Sequence, residues 1–549
     1  MAKERSDARR HVAGNPLDRL RNLLRLGFAW IEALFARAFP PDWNPLYHLG
    51  ALGFFFFWIV AVSGIYLYIF FDTGITEAYG SIEYMTHEQW YLGGVMRSLH
   101  RYASDAMILM MLVHGIREFA LGRYRGARWF TWVTGVPIAW LVFACGITGY
   151  WLVWDRLAQY VAITTSEWLD RLPIFGEPIA RNFLSSELLD DRFFTLMIFI
   201  HIAAPLILLI ILWIHLQRVA RPKINPARGL AIGTMITMLA LSLIKPAVSQ
   251  GPADLNSVPA VIGLDWYYLG LYPLFERWPG IASWGLVGAL SSILVVLPWL
   301  PPMRRPAAAT VDLANCNGCT RCAVDCPYNA IAMLPRSDGL PFTQEAVVDP
   351  ARCVSCGLCA GACPTSMPFR RATALVPGID LPDLAMADLR QKLHDASARL
   401  LQGPRIILFG CEHGVDPTPA ASERVAAIRL PCIGHLPPAF IDYVLSRKLA
   451  DGVFLTGCAE GACQHRFGIA WTEARIAGER DPHLRKRVPK ERLETFWVGP
   501  GGELELTAAL DAFAADLKTQ TTPSSARLMA GIAGTPAVPT TEPTEPGHG

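Results

Sequence analysis

The chain has 549 residues, of which 52% are hydrophobic and only 17% charged, with a formal net charge of +2. A soluble chain of this length carries more charge, so part of it is expected inside a membrane; near-neutrality excludes a general nucleic-acid binder. Of thirteen cysteines only Cys145 precedes residue 315, so the apolar half has no disulfide framework and the other thiols belong to a second, soluble half.

Residues 1–45 read as a cytoplasmic N-terminus. The start is basic and lacks an apolar core with a small-residue cleavage site, so no signal peptide is expected. Leu20, Leu23, Leu24, Phe28 and Ile31 recur at helical spacing among Arg19, Arg21 and Arg25, which predicts an amphipathic helix on the membrane surface. Six apolar segments then reach bilayer length, at 46–71, 95–121, 129–154, 193–219, 229–244 and 281–300, the fifth being short. Together they define a membrane domain over 46–302. Arg117, Arg123, Arg125 and Arg128 follow the second segment, and Arg218, Arg221, Lys223 and Arg228 follow the fourth. By contrast, 72–94 holds four acids and no Lys or Arg. The positive-inside rule therefore puts the N-terminus, both basic loops and everything after the sixth span in the cytoplasm.

The second span, "RSLHRYASDAMILMMLVHGIRE", carries His100 and His114 fourteen residues apart. Nearly four turns separate them, so both rings leave one face, about 21 Å apart along the axis. The fourth span carries His201 and His215 at the same interval and runs in the same direction. His100 and His201 then share an outer depth, and His114 and His215 an inner one. Two facing pairs at matched depths suit bis-imidazole coordination of two stacked haems. The alternative is four unrelated histidines making interhelical hydrogen bonds. Gly50 and Gly64, and Gly135 and Gly149, repeat the interval and would leave room for a flat macrocycle beside each helix. Arg97, Arg101 and Arg117 flank the histidines, as partners for haem propionates or as snorkelling interfacial cations.

With "FPPDWNPLYHLG", "TWVTGV" and "GITGYWLVWD" added to these histidines, residues 15 to 300 strongly resemble cytochrome b, above all the short, split form of plastid and cyanobacterial plastoquinol complexes. "SQGPADLNSVPAVIGLDWYYLGLYPLF" resembles the opening of that complex's small companion subunit, fused here to the first part. The resemblance implies a low-potential haem at His100/His201, a higher-potential one at His114/His215, and quinone sites near both membrane surfaces. It also departs in three places. The family's Pro-Glu-Trp-Tyr is Leu264-Asp265-Trp266-Tyr267 here, so Asp265, Trp266 and Tyr267 become the quinol-site candidates, with a proton-accepting carboxylate one methylene shorter. Leu-Pro-Trp after the third span is Leu152-Val153-Trp154. Where the plastid type tethers an extra haem through a cysteine, this chain has His48, which excludes a thioether there and reads as a polar residue near the inner interface.

Over 303–375, "CNGCTRCAVDCP" and "CVSCGLCAGACP" each fit C-x2-C-x2-C-x3-C-P, the bacterial two-cluster ferredoxin run. Cys316, Cys319, Cys322 and Cys363 would hold one [4Fe–4S] cluster, and Cys353, Cys356, Cys359 and Cys326 the other. Zinc is the competing ligand for paired C-x2-C elements; the doubled triplet with a trailing Cys-Pro favours clusters. Residues 376–402 read as a linker with a short helical stretch.

Beyond it, over 403–518, "RIILFGC", "VAAIRLPC" and "DGVFLTGC" are apolar runs ending at Cys411, Cys432 and Cys458, with helical stretches between them. That alternation predicts a parallel sheet whose carboxyl ends gather the three thiols, joined by Cys463. Four thiolates there suit a [2Fe–2S] cluster, with structural thiols or zinc as the alternative. This region resembles the iron–sulfur delta subunit found with methanogen-type hydrogenases and heterodisulfide reductases, chiefly through "GCAEGACQHRFG". His413, His435 and His465 lie near these cysteines but are not read as ligands, and Cys145 reads as a packing residue. Residues 519–549, rich in Pro, Thr, Ala and Gly, are expected to be disordered.

The expected fold is multi-domain: an all-α transmembrane haem-binding helix bundle, an α+β two-cluster ferredoxin fold, and an α/β parallel-sheet iron–sulfur domain. Expected cofactors are two haem b, two [4Fe–4S] clusters and one [2Fe–2S] cluster. The expected role is an electron-transfer subunit of a quinone oxidoreductase in a bacterial inner membrane, linking quinone and quinol to a soluble cytoplasmic oxidoreductase. Two alternatives stay open. One is bifurcated quinol oxidation with a separate outer-side Rieske protein or cytochrome c; the other is a membrane anchor and electron adapter without quinone turnover. A homodimer follows by analogy only.

Overall fold

The computed structural model describes residues 16–172, 191–217, 219–300, 306–370 and 375–521. They fall into two units, and each is described separately. The first runs to Cys359 and includes Gly378–Asp383 and Glu460–Phe467; the second holds Ala360–Pro377, Leu384–Ala459 and the chain from Gly468 onward.

In the first unit, the helices are α1 (Pro16–Ala36), α2 (Leu49–Phe70), α3 (Glu77–His87), α4 (Val95–Ala120), α5 (Trp129–Val153), α6 (Arg156–Asp170), α7 (Asp191–Leu216), α8 (Arg228–Ile244) and α9 (Gly280–Val296). Helix α2 packs along α4, and α5 along α7. Leu52, Phe56, Ile59, Leu99, Met107, Val142, Phe194 and Leu208 interlock at the centre. Outward, Trp58, Val62 and Ile65 of α2 and Phe199, Leu206 and Ile210 of α7 stay uncovered. Rows of bare apolar side chains on long helices match a lipid environment, where backbone groups must pair within each helix.

Among the described residues, α2, α5, α7 and α9 with its extension to Trp299 are long and apolar enough to cross a membrane. The sequence led us to expect six such spans. Helix α4 has the length, 26 residues, but carries Arg97, Arg101, Asp105, Arg117 and Glu118; helix α8 is apolar but only 17 residues long.

The loop that brings Asp265 to the bundle is pinned from α6. Asp155 caps that helix by accepting from the Ala158 N–H at 2.8 Å, and its other oxygen accepts from the Gln250 N–H at 2.9 Å. One turn on, the Gln159 amide donates to the Asp254 and Ser257 carbonyls at 2.8 and 2.9 Å.

The cysteine-rich part of this unit contains β1 (Thr310–Val311), β2 (Ile331–Pro335), β3 (Gln344–Val348) and β4 (Ile379–Asp380). They form two antiparallel pairs, β1 with β4 and β2 with β3, the latter with Ile331 opposite Val348. The stretch 376–402, expected to be a linker, therefore supplies a strand. It also supplies α10 (Met386–Ser397), a helix that buries Met386, Leu389 and Leu393 within the second unit.

The second unit continues with β5 (Ile406–Cys411), β6 (Val425–Leu430), α11 (Pro438–Ser446), β7 (Gly452–Gly457), α12 (Gly468–Ala477), β8 (Leu493–Trp497) and α13 (Glu503–Thr521). Its sheet has the order β6-β5-β7-β8 and is parallel throughout. The central strands β5 and β7 are buried at every position, which is why they read as unbroken apolar runs. Strand β8 was not expected; "LETFW" lies at the sheet edge and is only partly buried. Leu506, Leu510, Phe513 and Leu517 of α13 cover Ile406, Leu408 and Phe454. This helix extends past Thr519, the expected start of disorder, to Thr521; residues 522–549 lie outside the described residues.

Candidate redox centres

The four candidate haem ligands stand on α4 and α7, and each ring has one of the four expected glycines at its back. A Cβ on Gly64 would lie 3.0 Å from His100 Cε1, and one on Gly149 2.9 Å from His201 Cε1. At Gly50 the distance to His114 is 3.4 Å, and at Gly135 it is 3.7 Å to His215. The glycines thus seat the imidazoles themselves. The His100 and His201 ring centres are 6.2 Å apart. An iron bound to two opposed imidazoles by bonds of about 2 Å holds the ring centres about 6 Å apart, so the pair fits the implied haem.

Three hydroxyls that the sequence analysis did not single out determine which nitrogen faces the gap. Ser63, Thr134 and Thr148 each immediately precede one of those glycines. Their Oγ atoms lie 3.2, 3.0 and 3.1 Å from Nδ1 of His100, His215 and His201. Each hydroxyl spends its own proton on the carbonyl four residues back, at Ile59, Phe130 and Ala144. Toward the imidazole it can therefore only accept, which puts the ring proton on Nδ1 and leaves the Nε2 lone pair for a metal. His100 Nδ1 also reaches the Val60 carbonyl at 3.0 Å. His114 differs, because Leu49 precedes Gly50 and offers no hydroxyl. The available signal was a Ser/Thr-Gly pair repeated three times at glycines already selected for their spacing.

The three expected arginines are all paired with protein carboxylates. Arg97 is 3.4 Å from Glu83 and donates to Thr86 and, at 2.8 Å, to Ser249. Arg101 is 2.9 Å from Asp265 and 3.5 Å from Asp105. Arg117 Nε donates to Glu32 on α1 at 2.7 Å, while its Nη2 is buried without a hydrogen-bond partner and so keeps a donor for a further anion.

The quinol-site candidates separate by direction. The Asp265 side chain is only 6% exposed, and it accepts from Tyr150 OH, from Arg101 and, at 2.8 Å, from the Tyr267 N–H. Trp266 and Tyr267 face outward, at 76% and 52% exposure. Sequence reasoning missed Tyr150, Asp105 and Tyr268 in this group. Arg101 stacks 4.5 Å from the Tyr150 ring centre, Tyr268 OH meets Ser104 Oγ at 2.7 Å, and Asp105 Oδ1 is buried with no partner. A carboxylate that accepts from one guanidinium and one phenol in this nearly closed setting is fixed in orientation by both.

In the cysteine-rich part, Cys326, Cys353, Cys356 and Cys359 line one cavity with Pro327, Tyr328, Leu358 and Leu381. These are the four thiols expected to share a cluster. Burial pushes the Cys356 and Cys359 thiols up, and also that of Cys326, against the pull of the Ala330 N–H on its sulfur at 3.3 Å. Iron binding here would displace protons from thiols that are otherwise neutral. Cys316, Cys319 and Cys322 belong to the same unit, and Cys363 to the second.

In the second unit the Cys411 thiol bonds both Cys432 and Cys458, so the three strand-end cysteines meet as expected; the Cys432 contact leads in pushing the Cys411 thiol up. Cys463 lies on Glu460–Phe467, which packs in the first unit. Nearby, His435 is fully buried with neither ring nitrogen hydrogen-bonded.

Comparison with known proteins agrees region by region. Residues 35–221 match the cytochrome b/b6/petB family, 315–367 the 4Fe-4S dicluster domain, and 416–520 the delta subunit of methyl-viologen-reducing hydrogenase. A solved chain described as "Hyperthermophilic respiratory Complex III" is similar at 23% identity over 46% of this chain and 75% of that one, with a TM-score of 0.38. One polypeptide therefore carries, in chain order, regions that match a cytochrome b/b6 model, a 4Fe-4S dicluster model and a hydrogenase delta-subunit model.

Proposed function

We propose that this chain is the membrane electron-transfer subunit of a quinone oxidoreductase. It passes electrons between quinol or quinone, two b-type haems and cytoplasmic iron–sulfur clusters, and exchanges them with a soluble redox partner. The observation that carries this reading is the support of the histidines, a glycine behind each of the four rings and a hydroxyl on Nδ1 of His100, His201 and His215, which leaves Nε2 of those three for a metal.

The bound haems supply one-electron chemistry when present. His100 and His201 would ligate one, and His114 and His215 the other. Arg117 Nη2 is free for a propionate. Asp265 would accept the quinol proton, while Arg101 and Tyr150 orient its carboxylate. Cys326, Cys353, Cys356 and Cys359 would hold one [4Fe–4S] cluster, and Cys316, Cys319, Cys322 and Cys363 the other. Cys411, Cys432 and Cys458 would hold a [2Fe–2S] cluster with Cys463. The basic loops after α4 and α7 support an orientation with the clusters in the bacterial cytoplasm.

An anaerobic redox titration of the purified protein, followed by haem absorption and cluster EPR together, tests this. Two haem transitions and two cubane signals, with the haems reducible by quinol and protected by a quinone-site inhibitor, are expected. Haems that respond only to reductant from the cluster side would replace the reading by that of an adapter without quinone turnover.

A further inference from the structure

The stretch after α7 is joined backbone to backbone to the close of the first cysteine run. Five residues after His215, the Ala220 N–H donates to the Pro327 carbonyl at 3.0 Å, and Pro327 directly follows Cys326. Tyr328, the next residue, is 4% exposed and lines the Cys326/Cys353/Cys356/Cys359 cavity. Its hydroxyl accepts from Arg128 Nη2 at 3.2 Å and meets His465 Nδ1 at 2.9 Å, with the guanidinium 5.5 Å from its ring centre. Arg128 stands at the foot of α5, the helix whose Gly135 backs His215. The foot of α4, the His114 helix, is tied in as well. Arg123 donates to the Ala462 and Cys463 carbonyls at 3.0 Å each, and Gln464 donates to the Leu121 carbonyl at 3.2 Å. At Cys316 and Cys319 the hydrogen bonds lie within the cysteine-rich part, with Asn317 facing the Cys319 N–H and Arg336 donating to the Cys316 carbonyl. The cavity of Cys326, Cys353, Cys356 and Cys359 is therefore tied to the helix bundle through Pro327 and Tyr328.

We propose that the cluster held by Cys326, Cys353, Cys356 and Cys359 is the one that exchanges electrons with the haem of His114 and His215, by way of Pro327, Tyr328 and Arg128. This rests on the proposed function and adds the point of entry. One electron moves per step: when ferrous haem iron is oxidised to ferric, that [4Fe–4S] centre gains the electron, and the reverse step returns it. No covalent bond changes. Tyr328 and Arg128 act as positioning residues that hold the cavity wall against the bundle.

The test uses the full-length protein with all cofactors. The haems are reduced by rapid mixing with a one-electron reductant, and haem reoxidation is followed optically while freeze-quenched samples report the cubanes by EPR. Cys319→Ala removes a ligand of the other proposed cluster and should leave the haem-to-cubane phase present. Cys356→Ala should abolish it. Arg128→Gln and Tyr328→Phe should slow it by about tenfold, as loss of an outer-shell partner does, with haem content, iron content and both EPR signals unchanged. Loss of the phase in Cys319→Ala, or wild-type rates in the Arg128→Gln and Tyr328→Phe proteins at full cofactor content, would overturn the proposal while leaving the function standing. A fully loaded wild type with no haem-to-cubane phase would overturn both.

Discussion

Thr148 Oγ1 lies 3.1 Å from His201 Nδ1, while the threonine's own proton is committed to the Ala144 carbonyl at 2.8 Å. The same arrangement links Ser63 to His100 and Thr134 to His215. A hydrogen bond accepted from Nδ1–H makes the imidazole a stronger donor at Nε2 and so favours ferric iron. Thr148→Val keeps the shape and removes the hydroxyl acceptor, leaving the Cys145 carbonyl as the ring's hydrogen-bond partner. The midpoint potential of the His100/His201 haem should rise by roughly 60 mV, a tenfold change in a one-electron equilibrium. Optical redox titration reads the shift. Leu49→Thr, which adds a hydroxyl beside Gly50, should lower the other haem.

The glycines differ in how much they tolerate. An added methyl at Gly149 would lie 2.9 Å from His201, inside normal contact, whereas at Gly135 it would lie 3.7 Å from His215. Gly149→Ala should displace the ring and deplete the His100/His201 haem. Gly135→Ala should retain both haems. Haem per chain, measured from the absorption spectrum of purified protein, distinguishes the two.

Asp265 accepts from Tyr150 and Arg101 in a nearly closed setting. Replacing the carboxylate by an amide removes the proton acceptor and leaves the volume. Asp265→Asn should slow quinol-driven haem reduction by about 100-fold, the usual scale for losing a general base, with haem spectra unchanged. Tyr150→Phe should slow it less, since the carboxylate keeps Arg101. Stopped-flow reduction by quinol measures both.

Burial holds His435 well down, at about 4 against an ordinary 6.5. The unfolded chain therefore binds a proton at this position at a pH where the folded one does not. Its contribution is intact above pH 6.5 and is lost progressively as pH falls from 6.5 to about 4, a loss of up to about 3 kcal/mol. His435→Leu should flatten the acid side of the stability curve. Denaturant unfolding of the full chain between pH 7 and 5 provides the measurement.

Much of the molecule is legible in the linear text because the physics there is local or periodic. The interval between His100 and His114, repeated at His201 and His215, follows from helix pitch. The doubled C-x2-C-x2-C-x3-C-P run matches a known ligand spacing, and strands β5 and β7 announce themselves because burial on both faces removes every charged residue. Strand β8 escaped because an edge strand keeps its charges, and β4 because two residues suffice for a pairing made by a partner almost seventy positions away.

Tertiary structure decided what depends on atoms remote in sequence. That Arg101 pairs with Asp265, and Arg117 with Glu32, could not be read from a flanking position: a guanidinium goes to whichever carboxylate the packed helices bring within reach. Nor could the sequence say that Pro327 receives the Ala220 N–H, because that bond exists only once the cysteine-rich part has folded with the helix bundle. The residue types and their spacing determined which cofactors are expected of this chain. Packing determined which nitrogen, which carboxylate and which cluster face one another, since hydrogen bonds and ion pairs are set by distance in space and not along the chain.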